Sequence, residues 1–356
     1  MSNIKYQYFK DLDLNDSFFD SLKDSYKEFS AWFAQKAKED EKAYVFYKKD
    51  SNLLEAFIYL KVEIKKVNDI EPALPAGNIL KIGTFKINAH GTKLGERLLK
   101  KTFDHAINEG SDYIYVTVFE KEKPLIRILE KYGFNIHGFK TTQNGVENVY
   151  VKKLKVITGN VIKDFPHLTL KDKKFYLLAI YPEYHSKFLP DSILNNESHD
   201  ILDDISYTNS IHKIYISGIS RTKNLKQGDV ICIYRTNKGG KGKAYYKSVV
   251  SSIGVIEEVR KIKSFPSEAE FMKYVKPYSV FEKEELKDYF TNRNKRYIIK
   301  FTYNGALRKR LIRGRLMDDC GISTKTRWDF ISITEEQFRW IAGEGQVNEG
   351  IIIDQA

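Results

Sequence analysis

The stretch "INAHGTKLGERLLKKTFDHA", Ile87–Ala106, reads as the end of a strand, a short glycine-bearing turn and the start of an amphipathic helix. Leu94, Leu98, Leu99, Phe103 and Ala106 recur at helical spacing and form the face expected to be buried. Gly110 follows as a left-handed helix cap. A strand, a glycine turn and a helix N-terminus together make an anion site. The first N–H groups of the helix lack internal partners, the helix dipole adds partial positive charge, and a glycine lets backbone approach a phosphate closely. The turn is therefore expected to cradle a pyrophosphate, although an ordinary strand-to-helix turn has the same local pattern.

Outward from this stretch, helix and strand patterns alternate. "SFFDSLKDSYKEFSAWFAQKAKE" carries Phe18, Leu22, Tyr26, Phe29 and Phe33 at helical spacing. "KAYVFYKK", "LLEAFIYLKVE" and "ILKIGTFKIN" read as strands. "DYIYVTVFE" is apolar on both faces, as a central strand is. "KPLIRILEKYGF" is a short helix ending at Gly133, and Asn144-Gly145 turns a closing hairpin.

The chain of 356 residues is long enough for two domains. No apolar run approaches the roughly 20 residues of a membrane span, and the polar, acidic N-terminus is unlike a signal peptide, so a cytoplasmic protein is expected. Cys232 and Cys320 give no disulfide framework, and the seven His are scattered, so no metal site is expected. The formal charge of +12 is uneven: residues 1–155 hold 26 Lys/Arg against 22 Asp/Glu, and residues 156–356 hold 33 against 25. An acidic partner for the second half is the natural reading.

Residues 1–155 resemble the GNAT acetyltransferase superfamily. Its Arg/Gln-x-x-Gly-x-Gly/Ala signature reads "HGTKLG" here: Gly91 and Gly95 fit, His90 replaces the usual Arg/Gln, and Lys93 stands where the first signature glycine lies. "IRILEKYGF" matches a second family mark, and the order of elements agrees. The resemblance implies a mixed sheet flanked by helices, with acetyl-CoA as cofactor. It implies pyrophosphate contacts from His90, Gly91, Thr92, Lys93, Leu94 and Gly95. The pantetheine arm would lie between splayed fourth and fifth strands, near Phe85 and Ile87.

The family's usual acid is a Tyr on the fourth helix. Aligned through "EKYGF", that position is Leu129, and a nearby family Asn falls at Glu122. Tyr132, Tyr115 and Glu120 are the candidate substitutes, with Glu63 as a candidate base. Each also has a plain structural reading as helix-end packing, strand core or a solvated strand end.

Past a polar stretch the pattern changes to many short strands with two helical pieces, "SEAEFMKYVK" and "EKEELKDYFTN", which suggests a small barrel. "LKQGDVICIYRT", "SVVSSIGVIEEVRK", "RYIIKFTY" and "TRWDFISITEEQFRWI" resemble PUA-like modules of the ASCH and EVE kind. That resemblance implies nucleic-acid binding, RNA before DNA. Basic clusters point the same way, through Lys241, Lys243, Arg308, Lys309, Arg310 and Arg313, with Tyr245, Tyr246 and Trp328 nearby for stacking. Solvated loops and strand edges rich in lysine are the competing explanation.

The expectation is an α+β protein in two parts. Residues 1–155 form the GNAT-like domain, 156–172 a linker, 173–342 a PUA-like β-barrel with inserted helices, and 343–356 a tail. The function expected is an acetyl-CoA-dependent N-acetyltransferase directed to RNA, tRNA or an RNA-associated protein acceptor. The alternative is a catalytically inactive acetyl-CoA sensor that binds nucleic acid. Neither the acceptor nor the oligomeric state is legible.

Overall fold

The computed structural model describes residues 4–48, 53–88, 93–189, 210–237, 243–292, 297–323, 325 and 327–353. The chain divides into two compact units, Ser2–Val156 and Ile157–Ala356.

The first unit runs β1 (Ile4–Tyr8), α1 (Asp20–Ser25), α2 (Phe29–Lys38), β2 (Lys42–Tyr47), β3 (Leu54–Glu63), β4 (Ile79–Ile87), α3 (Leu94–Asn108), β5 (Tyr113–Val118), α4 (Lys123–Lys131), β6 (Asn135–Thr142) and β7 (Gly145–Lys153). The sheet order is β1-β2-β3-β4-β5-β7-β6. Every neighbouring pair is antiparallel except β4–β5, which is parallel and is bridged by α3. Aromatic rings dominate the packing of α2 and of the turns that precede α1 on the sheet: Phe9, Phe18, Phe19, Phe29 and Phe33 close over Phe57 and Tyr59 of β3. The five apolar residues expected on the buried face of α3 are all buried, and Gly110 takes φ +66° just past its end.

One expected helix is two. The spacing of Phe18, Leu22, Tyr26, Phe29 and Phe33 predicts a continuous helix, yet the chain breaks at Tyr26, whose backbone is extended (φ −134°, ψ 103°). The break turns Tyr26 toward β7 instead of leaving it on the helix face.

The second unit runs α5 (Val161–Asp164), β8 (Phe175–Ile180), α6 (Pro182–Phe188), β9 (His212–Ser217), β10 (Val230–Arg235), α7 (Lys243–Lys247), β11 (Val249–Lys261), α8 (Glu268–Val275), α9 (Lys283–Asn292), β12 (Tyr297–Ile312), α10 (Arg313–Asp318), β13 (Phe330–Ile333) and α11 (Glu335–Glu344). Its sheet is mixed, in the order β13-β8-β10-β11-β12-β9, with β8 and β10 parallel. Phe271, Val275 and Leu286 of the two expected helices, α8 and α9, join its core beside Ile231, Ile256 and Ile299.

The expected closed barrel is not seen. Among the described residues β13 and β9 are the two ends of the sheet and no pairing joins them. Short strands separated by turns serve an open sheet as readily as a barrel, so their number alone did not decide closure. The residues expected as a linker are built into this unit. Asn160 caps α5 by accepting from the N–H groups of Ile162 and Lys163. Asp164 accepts from the Thr158 and Gly159 N–H groups at 2.8 and 2.9 Å. The expected tail pairs with the same segment: Leu168 N–H donates to Ile351 O, and Ile353 N–H to Leu168 O, each at 2.9 Å.

Candidate active site

The parallel pairing of β4 with β5 runs from Ile79–Tyr113 to Ile82–Val116 and stops there, although β4 continues to Ile87 and β5 to Val118. Beyond Ile82 the two strands splay apart, while β4 stays paired to β3 through Ile87. The divergence begins at a bulge. Tyr59 pairs with Thr84 and Leu60 with Ile82, so Gly83 is the extra residue. A Cβ on Gly83 would lie 2.7 Å from Cδ1 of Tyr59, which explains the glycine.

A cavity of about 970 Å³ occupies this gap. Phe85 and Ile87 line it, as expected, and so do Lys93, Leu94 and Gly95 at the start of α3. His90, Gly91 and Thr92 lie outside the described residues. Lys93 is the N-cap of α3 and is left-handed, with φ 57° and ψ 15°. A non-glycine residue in that region costs on the order of 1–3 kcal/mol, a strain that collects at functional turns. Gly95 lets the first turn of α3 close on its neighbours: a Cβ there would sit 3.1 Å from Cδ1 of Ile128 and 3.4 Å from Cδ1 of Ile87. Arg127 and Lys131 of α4 line the same cavity and add positive charge.

Elsewhere the wall is built by the break between α1 and α2 and by the β6–β7 hairpin. Tyr26 Oη donates to Glu147 Oε1 at 2.7 Å, and Glu28 accepts from Asn144 Nδ2 at 2.9 Å. Tyr26, Glu28 and Glu147 all line the cavity. Glu147 is 3% exposed. Burial, then the Glu147 carboxylate, pushes the Tyr26 phenol far up, so it is a neutral donor at any working pH. Lys81, also in the lining, has its ammonium pushed below the usual lysine range chiefly by burial.

None of the three catalytic candidates from sequence lines this cavity. Tyr132 is fully buried, its ring edge-on to Phe103. Tyr115 is fully buried on the opposite side of β5, packed with Ile79, Val149 and Val151, and its hydroxyl donates to Glu63 at 2.6 Å. Burial and that carboxylate push its phenol up. Glu63 is thereby a partner of Tyr115 and does not line the cavity. Glu120 is exposed, is paired with Lys123 at 2.8 Å, and faces a separate groove. Tyr26, Glu147 and Gly83 are the residues the sequence reading missed. The glycine inside a strand pattern was a usable signal for the bulge; Tyr26 was hidden by its own helical spacing.

In the second unit Lys241 lies outside the described residues, and Lys243 begins α7. Tyr245 donates to Asp318 and packs on Gly314, where a Cβ would come within 2.5 Å of its ring, so of this pair Tyr246, 69% exposed, is the one open for stacking. Arg308, Lys309 and Arg310 sit on a wide bulge of β12. Ala306 pairs with Ser252 and Leu311 with Val250, and the residues between them leave the β11 ladder. Lys309 N–H donates to Gly345 O at 3.0 Å, which holds the bulge near the end of α11. Arg313 stacks over Trp328 at 4.5 Å and Trp328 is 8% exposed, so that indole is already covered.

No family model matches the sequence, and no curated protein matches it. Solved structures similar to the chain include an ASCH protein from Zymomonas mobilis, at 10% identity and TM-score 0.33, covering 48% of this chain and 96% of that one. A GNAT family acetyltransferase from Elizabethkingia anophelis with acetyl-CoA bound is 12% identical, TM-score 0.30, over 43% of this chain and all of that one. A NatC complex bound to Gag peptide and CoA gives 17% identity and TM-score 0.30 over 43% of this chain and 99% of that one. The chain thus has both GNAT and ASCH structures among its neighbours, each over about half its length.

Proposed function

We propose that the first unit is an acetyl-CoA-dependent N-acetyltransferase and that the second directs it to RNA or to an acceptor associated with RNA. The observation that carries the first part is the early end of the β4–β5 pairing at Ile82–Val116, with a cavity in the gap and the start of α3 at its edge. Unpaired strand edges offer N–H and C=O groups to an amide-bearing chain, and a helix N-terminus favours a diphosphate. The residues present fit such a ligand. Gly83 makes the bulge where the strands part, Gly95 lets the first turn of α3 close on Ile128, and Lys93, Arg127 and Lys131 supply cations.

Acetyl-CoA would supply the activated acyl group. What this chain must add is a base for the acceptor ammonium and exclusion of water. Glu147 is the carboxylate of the cavity best suited as that base: nearly buried, and held in place by the Tyr26 hydroxyl. With Leu129 at the family's tyrosine position, Tyr26 is the phenol in the lining; its hydroxyl orients Glu147, which takes the acceptor's proton. Joining such a unit to a nucleic-acid-binding one raises the effective concentration of the acceptor.

Isothermal titration with acetyl-CoA, followed by incubation with labelled acetyl-CoA and total cellular RNA and protein, tests the reading. Binding with transfer of label is expected. Binding without transfer to any acceptor favours the sensor, and no binding removes the proposal.

A further inference from the structure

The second unit has a cleft that the basic clusters of the sequence did not mark. A cavity of about 840 Å³ is lined by Lys173, Lys174, Lys223, Lys226 and Arg221. These residues come from two segments some fifty positions apart, the entry to β8 and the turn before β10. One buried carboxylate brings them together. Asp229, 5% exposed, accepts from the Lys174 N–H at 3.3 Å and from the Lys226 N–H at 2.8 Å. Its charge is spent on backbone donors and leaves the ammonium groups unanswered. Gly228, at φ +86°, adds the close approach: a Cβ there would lie 2.8 Å from Lys173 Nζ. The Gly-Asp turn thus works as a clamp that lays two lysine segments side by side.

The cleft is cationic on balance. None of Lys173, Lys174, Lys223 and Lys226 has a carboxylate partner among the described residues. Arg221 is answered by Asp329 at 2.6 Å, and Glu335, the one acidic residue in the lining, is held by Arg339 at 2.8 Å. The aromatic residues in the lining are not open platforms. Tyr176 and Phe330 stack on each other at 4.9 Å and 12°, and with Phe175 they are buried. A ligand that satisfies this wall carries several negative charges in a row and needs no base stacking.

We infer that this cleft grips the phosphodiester backbone of a single-stranded nucleic acid, independently of base sequence. This rests on reading the second unit as a nucleic-acid binder, and it moves the main electrostatic contact away from the β12 bulge. Each neutralised phosphate on a single strand contributes about −0.7 to the slope of log affinity against log salt. Fluorescence anisotropy with labelled oligouridylate across a salt series reads that slope.

The K174Q/K226Q variant should lose about 1.4 from the slope, and its melting temperature should match the parent's because both side chains are exposed. The R308Q/K309Q variant should lose less. An unchanged slope in K174Q/K226Q, with a loss confined to R308Q/K309Q, overturns the cleft and keeps the wider reading. No binding by the parent chain overturns both. Displacement by polyglutamate as effective as by unlabelled oligouridylate overturns the assignment to nucleic acid.

Discussion

Tyr26 and Glu147 stand 121 residues apart and share a 2.7 Å hydrogen bond at the wall of the 970 Å³ cavity of the first unit. The bond links the α1–α2 break to β7. With the Glu28–Asn144 contact beside it, it ties the break to the β6–β7 hairpin. A phenol kept neutral by burial and a nearly buried carboxylate thus meet at one cavity wall, where the carboxylate is the base proposed above.

Glu147→Gln keeps the shape of this wall and removes the proton acceptor. With a general base worth about 10²–10⁴ in rate, kcat should fall by about a hundredfold or more, while acetyl-CoA affinity by titration stays within about threefold. Tyr26→Phe should lower kcat less. A Glu147→Gln enzyme with parental kcat would exclude the carboxylate as the base.

The layout of this unit was legible because its periodicities are long and unambiguous. The apolar stripe of α3, the two-sided apolar run of β5 and the Asn-Gly turn each map onto the observed elements. The site was less legible, for a physical reason. The Phe18–Phe33 spacing fits a single helix, and only tertiary bonds from Tyr26 and Glu28 to the distant hairpin favour the break. Local propensity carries no record of partners more than a hundred residues away. In the second unit the basic cleft escaped notice because its lysines are dispersed in sequence and meet only in the fold, through the β8–β10 pairing and Asp229.

Tyr132, Tyr115 and Glu120 provide the converse test. Tyr132→Phe and Glu120→Gln should leave kcat within about threefold of the parent, since neither side chain lines the cavity. Tyr115→Phe should likewise spare kcat but cost about 0.5–1.5 kcal/mol of stability in denaturant melts, because it removes the 2.6 Å hydrogen bond to Glu63, which keeps Lys61 as a partner. A large fall in kcat for any of the three, with normal folding, would return that residue to the mechanism.

Gly95 and Gly83 test the gap itself. Gly95→Glu places a carboxylate where a diphosphate is expected and where Ile128 already lies 3.1 Å from an added Cβ. Acetyl-CoA binding should fall below detection by calorimetry. Gly95→Ala separates charge from bulk: it should weaken binding by about tenfold or less. Gly83→Val drives its Cβ into the Tyr59 ring and should cost about 1–3 kcal/mol of stability as well as affinity. Full affinity in Gly95→Glu would place the coenzyme elsewhere.

Glu257 sets the expected acid sensitivity of the second unit. Its carboxylate is buried, bonded to His212 Nδ1, and paired with Lys300 Nζ at 2.9 Å. Burial raises its pKa, but the bond and charge of His212 and the charge of Lys300 outweigh that and leave it below the ordinary 4.5. A group with a depressed folded pKa contributes stability that is fully present above its unfolded value. That stability is lost as pH falls through the folded value. The parent should therefore lose melting temperature in the second unit below about pH 4.5. Glu257→Gln should start about 3 kcal/mol less stable at neutral pH, because it removes the carboxylate from the Lys300 ammonium at a buried site, and should show a flatter acid limb. Melts from pH 7 to 3 check both features, and a variant whose acid limb is as steep as the parent's would assign the loss to other carboxylates.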